Sequence, residues 1–284
     1  MSLAEIRPID VRQLGHPRLI CAWLIGDVLI DPGPATCVPT LLEALGDLRP
    51  RAIALTHIHL DHAGACGSLC RLWPEAEVWV HERGARHMVD PTRLLESATR
   101  LYGDDMDRLW GEFLPVPAER ITVLHGGERL GELEVAHTPG HASHHVCYWH
   151  AASATAFVGD VAGVRVEPLE YVLPPTPPPD IDVELWHESI ATVRAWRPQR
   201  LALTHFGAFG DPRAHLDRFD AALDHWAQRA RELDRAAFVS EVVADLERDC
   251  GAGDIGIYRV GAVLEHNYDG LARYWSKRVA AQRR

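Results

Sequence analysis

Residues 56–62 read Thr-His-Ile-His-Leu-Asp-His, three histidines and an aspartate within one short stretch. The preceding run, Arg51-Ala-Ile-Ala-Leu-Thr56, is short, continuously apolar and suited to a buried strand, and Gly64 to Trp73 has helical spacing. The histidines therefore begin where a strand ends. Residues two apart on an extended backbone face the same side, so His57 and His59 are expected to aim both imidazoles at one point. Asp61 and His62 fall on the turn into the helix and reach a neighbouring point. This pattern suits two adjacent metal ions: neutral imidazole and carboxylate favour zinc, and also accept iron or manganese.

Four ligands from one segment do not close two sites, so others must come from elsewhere. His141 sits in the turn Thr138-Pro-Gly-His141, Asp160 follows Phe157-Val-Gly159, and His205 ends the run Leu201-Ala-Leu-Thr204. Each stands at a strand-to-loop junction, where a scaffold holds functional side chains firmly. The His205 run also echoes the first one. Residues 49–57 and 197–205 agree at six of nine positions, both ending in Thr-His, which suggests two similarly built halves facing one site. The remaining histidines, among them His87, His144, His145 and His266, are read as ordinary core or surface residues.

Outward from these motifs, Leu19 to Gly33 reads as a hairpin turning at Gly26-Asp27 and stopping at Asp31-Pro-Gly. Glu77–His81 is a further strand. Residues 83–119 carry helical patterns and look inserted, a candidate cover for a site in which Tyr102 would touch substrate, while Trp110 and Phe113 read more as packing. The stretches ITVLHGGERL, GELEVAHTPG, HHVCYWHA and ATAFVGDV then make a second run of strands. The proline-rich segment 169–180 is an extended loop, with Tyr171 as a second candidate for substrate contact. A helix over Ile181–Trp196 follows, and amphipathic patterns at 213–234, 236–249 and 268–282 make the C-terminal part helical, available as a substrate wall or a homodimer interface. The expected organisation is a domain over 1–211 with a helical extension over 212–284.

The 284 residues are 47% hydrophobic, enough for a sizeable core, and a formal charge of −11 argues against nucleic acid or an anionic membrane as partner. The first residues lack a basic-then-apolar leader pattern and no apolar run approaches a membrane span, so a cytoplasmic protein acting on a small molecule is expected. Six dispersed cysteines without a C-x-x-C pair read as reduced thiols, with Cys66 and Cys70 as small buried hydrophobes.

In order and spacing, THIHLDHAG, TPGHASHH, FVGD and LTHFG resemble the metallo-β-lactamase superfamily, in particular its glyoxalase-II-like hydrolases. The resemblance implies an α/β fold, a four-layer αββα sandwich with metals at one edge between the sheets. It implies that His57, His59 and His141 hold one metal, that Asp61, His62 and His205 hold a second, and that Asp160 bridges them. Gly159-Asp160 resembles glyoxalase II and lactonases more than the β-lactamases proper. No glutathione-binding motif aligns in the C-terminal part. The expected chemistry is hydrolysis of an ester, thioester, lactone or amide by hydroxide drawn from water between two divalent ions, with Asp61 also orienting it or taking its proton. The competing readings are a mononuclear Fe(II) persulfide dioxygenase and a non-catalytic metal-binding protein.

Overall fold

The hairpin forms as its turn residues dictate: β2 (Cys21–Ile25) and β3 (Val28–Ile30) pair antiparallel across Gly26, whose φ of 57° is left-handed. In the computed structural model, which describes residues 5–250, 256, 258 and 263–282, this hairpin is the middle of the first of two sheets. That sheet runs β1 (Ile6–Asp10), β2, β3, β4 (Ala52–Ala54), β5 (Glu77–His81) and β6 (Ile121–Leu124) in chain order. Its first three strands are antiparallel and its last three join in parallel. The second sheet is ordered β12 (Gly207–Phe209), β11 (Arg200–Leu203), β10 (Thr155–Gly159), β9 (Val146–His150), β8 (Leu133–His137) and β7 (Arg129–Leu130), with only β10 and β11 parallel.

Three apolar clusters set the layers. Trp23, Ile30 and Trp79 of the first sheet meet Val135, Tyr148 and Phe157 of the second in one buried cluster between them. The first sheet's other face is covered by α1 (Val38–Leu45), α3 (Cys66–Leu72) and the inserted helices α4 (Glu82–Val89), α5 (Thr92–Tyr102) and α6 (Met106–Trp110). The second sheet's outer face packs on α7 (Val183–Ala195), α8 (Pro212–Glu232), α9 (Arg235–Cys250) and α10 (Leu264–Gln282). This is the αββα sandwich, with helices on both outer faces because each sheet is apolar on both of its own.

Several details differ from the sequence reading. The stretch Ile121–Leu124 does not open the second sheet; it pairs in parallel with β5 and completes the first, and the second begins at β7. Strand β1 escapes the sequence pattern because Pro8 interrupts it, yet as an edge strand it tolerates a residue without an N–H. Strand β4 ends at Ala54, so His57 and His59 lie in the loop leading to the short α2 (Leu60–Ala63) rather than on the strand itself. Cys66 and Cys70 are buried thiols, and burial pushes the former far up and the latter to about 11, leaving neither as a thiolate. Among the described residues no helix is long and apolar enough to cross a membrane.

Candidate metal centre

The loop after β4, the turn after β8, the end of β10 and the end of β11 all open at one edge of the sandwich, and their motifs meet there. His57, His59 and His141 bring three ring nitrogens within 4.8 Å of one another, and Asp61, His62 and His205 do the same with their ligand atoms. In the first set, His57 Nε2 and His141 Nε2 each lie 3.0 Å from His59 Nδ1. In the second, Asp61 Oδ2 lies 3.3 Å from His205 Nε2 and 3.8 Å from His62 Nε2. Asp160 faces both: Oδ2 stands 3.3 Å from His141 Nε2, while Oδ1 stands 3.3 Å from His62 Nε2 and 3.5 Å from His205 Nε2.

Glycines make these approaches possible. Gly159 has a φ of 48°, and a Cβ there would sit 2.5 Å from Thr56 Oγ1 and 2.7 Å from His145 Nε2. At Gly140, with φ of 135°, a Cβ would lie 2.4 Å from Trp186 Cα. The Gly-Asp and Gly-His pairs are thus one device used twice: a residue without a side chain lets the next one enter a crowded edge.

Behind these candidate ligands lies a layer the sequence reading did not identify. Fully buried Asp31, seen only as the end of the hairpin, accepts from the Thr56 backbone N–H (2.8 Å) and hydroxyl (2.7 Å), from the Thr204 hydroxyl (2.8 Å) and from His62 Nδ1–H (2.8 Å). Its φ of 47° is a left-handed conformation that aspartate tolerates. The Thr56 hydroxyl in turn accepts from His57 Nδ1–H at 3.1 Å. Both Thr-His pairs of the echo therefore converge on one carboxylate, and each threonine carbonyl accepts from the opposite sheet, Thr56 from Val146 N–H and Thr204 from Cys21 N–H, both at 2.8 Å. The echo carried this signal, through its threonines rather than its histidines.

His141 Nδ1–H donates to the Pro175 carbonyl and His205 Nδ1–H to the Leu19 carbonyl, both at 2.8 Å. His145 accepts the Asp160 backbone N–H through Nε2 (3.3 Å) and donates through Nδ1 to Thr138 Oγ1 (2.9 Å). Four of the five histidines thus have the outer ring nitrogen fixed and the inner one aimed at the centre, the arrangement that orients imidazole ligands. The Pro175 loop is itself held by α10: Asn267 accepts the Thr176 N–H on Oδ1 (2.7 Å) and the Thr176 hydroxyl on its carbonyl (3.0 Å).

The donor set fits divalent metal. His62 Nε2 and Asp160 Oδ1 are buried without a hydrogen-bond partner, a costly state for groups that otherwise bind protons or metal. Burial holds His57 and His141 below the ordinary imidazole range and His59 at about 4, so these three are neutral imidazoles at pH 7, the form that can accept a metal. Burial opposes ionisation of Asp61 and Asp160, but His62 and His205 outweigh it, holding Asp61 at about 2 and Asp160 well below the usual range. Burial also opposes protonation of His62, and Asp160, Asp31 and Asp61 override it. A concentration of carboxylates that draws protons onto His62 draws divalent cations equally.

A cavity of about 790 Å³ opens onto the centre, reaching His59, Asp61, His141, Asp160 and His205. Tyr102 lines it, edge-on to Trp110 at 5.1 Å and to His266 at 5.5 Å. Tyr171 does not line it; its ring packs against Tyr258 at 6.0 Å, under the C-terminal helices. His87, His144 and His266, read as ordinary, do line the cavity. Asn267 of α10 forms part of the wall as well, so the C-terminal helices reach the site.

The family model described as the metallo-beta-lactamase superfamily matches residues 20–207. A relative from Sulfurisphaera tokodaii, the metallo-beta-lactamase fold-containing protein ST1585, is 26% identical over 209 residues, covering 70% of this chain and 76% of its own. A hydroxyacylglutathione hydrolase of Aeromonas hydrophila is 32% identical over 146 residues, a match that spans 49% of this chain and 44% of the hydrolase. The crystal structure of the archaeal superfamily protein ST1585 from Sulfolobus tokodaii covers 95% of this chain and 99% of its own with a TM-score of 0.70 at 22% identity. That of the metallo-beta-lactamase family protein TTHA1429 from Thermus thermophilus covers 97% and 94% with a TM-score of 0.69 at 18% identity. With the two-sheet sandwich, the His/Asp cluster at its edge and a family match over most of its length, the chain belongs to the metallo-β-lactamase superfamily.

Proposed function

We propose that the protein is a hydrolase that binds two divalent metal ions, zinc first among the candidates and iron or manganese after it, and cleaves an ester, thioester, lactone or amide bond of a small molecule. One observation carries the reading: the two oxygens of Asp160 face different ligand sets, Oδ2 toward His141 and Oδ1 toward His62 and His205. A single-ion site would leave Asp61, His62 and His205 gathered without a task. Similarity to hydroxyacylglutathione hydrolases over about half the chain supports ester or thioester chemistry without fixing the substrate.

In this reading His57, His59 and His141 hold one ion, Asp61, His62 and His205 the other, and Asp160 both. Two ions so held would lower the pKa of a shared water toward neutrality and polarise the scissile carbonyl. The chain's own residues do the rest. Asp61 is a carboxylate throughout the neutral range and lines the cavity, placed to orient the attacking water and take its proton. Burial, and then Asp61, push the Tyr102 phenol far up, so its hydroxyl stays protonated and is available to donate to a substrate oxygen. No thiol or serine nucleophile is needed.

The testing experiment is turnover of a panel of thioesters, lactones and aryl esters before and after chelation. Loss of turnover on chelation and its return with zinc are the expected results; full turnover by metal-free protein would overturn the proposal.

A further inference from the structure

Away from the proposed metal site the cavity is lined by Arg83 and Arg86 on α4 and Arg93 on α5, and no described carboxylate lies in ion-pair range of any of the three; Arg83 donates to the Ser143 carbonyl at 3.5 Å. Eleven other arginines, from Arg51 to Arg278, do pair with carboxylates. Arg86 is held in place: its Nε–H donates to His87 Nε2 at 3.2 Å, which leaves the outer guanidinium nitrogens directed elsewhere. Burial first, and then Arg86 and Arg93, keep His87 below the ordinary imidazole range and hence an acceptor at neutral pH. Arg93 has no protein acceptor among the described residues.

Beside them the lining is aromatic, the Tyr102 ring standing edge-on to Trp110 at 5.1 Å and to His266 at 5.5 Å. The cavity carboxylates outside the metal cluster are already engaged, Glu82 with His125 at 3.2 Å and Asp180 with the Ser143 hydroxyl at 2.6 Å. The lining also holds the apolar side chains Ile58, Leu60, Leu94, Leu101 and Leu109. The volume, about 790 Å³, exceeds what a small neutral ester fills.

We propose that this cavity selects acyl substrates with an apolar body and an anionic oxygen group, carboxylate or phosphate, at the end remote from the scissile bond. Arg86 and Arg93 recognise that group through their charged guanidinium donors. The inference rests on the hydrolase reading for the scissile bond but not for the binding of the anionic arm.

The test uses the zinc-loaded full chain and three matched aryl esters of equal length: one ending in a methyl group, one in a carboxylate, one in a phosphate. The ratio of kcat/KM for an anionic ester to that for the neutral ester is expected to be tenfold or more, carried by KM. It should fall about tenfold in the double variant Arg86→Gln/Arg93→Gln. The carboxylate and phosphate esters show which anion fits. A merely structural role for the arginines would change kcat for all three esters alike and leave the ratio unmoved, which overturns the proposal. Octanoate and octyl phosphate, titrated calorimetrically, give a readout independent of hydrolysis: binding weakened by the double variant supports the subsite even where no ester is cleaved. Hydrolysis of all three esters at equal kcat/KM would leave the hydrolase reading standing and sink the anionic subsite.

Discussion

Asp31→Asn isolates what the buried carboxylate behind the ligands contributes. Four donors converge on it: the Thr56 N–H on Oδ1, and the Thr56 hydroxyl, Thr204 hydroxyl and His62 Nδ1–H on Oδ2. Asparagine has the same shape but only one accepting oxygen. With that oxygen at the Oδ2 position, its NH₂ points at the Thr56 N–H from 2.8 Å, donor against donor. Turned over, the NH₂ confronts three donors instead. The cheaper orientation leaves the Thr56 N–H and the amide N–H facing it unsatisfied and weakens three charge-assisted bonds, a cost of about 2–4 kcal/mol. Melting in excess chelator is therefore expected to fall by about 4–10 °C. Loss of the carboxylate partner of His62 should also weaken the ion held by Asp61, His62 and His205 about 10–100-fold, with less effect on the other. Competition against a chromophoric chelator reads both affinities, and Asp27→Asn, at an exposed ion pair with Arg51, is the control. An Asp31→Asn protein that binds two ions with wild-type affinity and melts within a degree of wild type would show that this carboxylate neither orients His62 nor stabilises the fold.

Four further outcomes follow from the geometry. Asp160→Ala and His57→Ala should each lose bound metal and at least a hundredfold in turnover, whereas Cys66→Ala keeps both; metal content after dialysis and ester hydrolysis check this. Gly140→Ala should be among the most destabilising substitutions, above about 3 kcal/mol by urea unfolding, because its Cβ would sit 2.4 Å from Trp186 Cα. Thr176→Val removes the hydroxyl bond from the proline-rich loop to Asn267 and so loosens the carbonyl that orients His141; chelator competition should show an affinity loss of about tenfold. His215 is buried, and burial first holds its pKa down at about 4 against an ordinary value near 6.5. Between those values the unfolded chain binds the proton and the folded one does not, so this stability is full above pH 6.5 and is lost as pH falls toward 4. Urea unfolding should show the stability gap between wild type and His215→Gln narrowing by about 2 kcal/mol from pH 7 to pH 5.

The convergence of the candidate residues was legible in the sequence because they stand at strand ends and turns, where local pattern and spacing determine position. His57, His59, Asp61 and His62 could be read from one segment, and His141, Asp160 and His205 from their turn glycine or strand-end context. What supports them was not legible. Asp31 lies 25 residues from Thr56 and 173 from Thr204, and nothing local distinguishes it from any aspartate that ends a hairpin. The same holds for the carbonyls of Pro175 and Leu19, since backbone groups carry no sequence signal of their own. Strand β6 looked like the opening of the second sheet because it is followed by a Gly-Gly turn and another short strand; only parallel pairing with β5 assigns it to the first. Tyr102 and Tyr171 had equal standing as pocket aromatics. The fold separates them, because α5 faces the cavity and the Tyr171 ring packs beneath the C-terminal helices.

Metal quantification on the purified chain, coupled to ester turnover on the same sample, is the decisive test of a two-ion site that drives hydrolysis. Two divalent ions per chain are expected, with turnover that disappears as they are stripped and returns as zinc is restored. A single Fe(II) per chain with oxygen uptake, or undiminished turnover in metal-free protein, would contradict it.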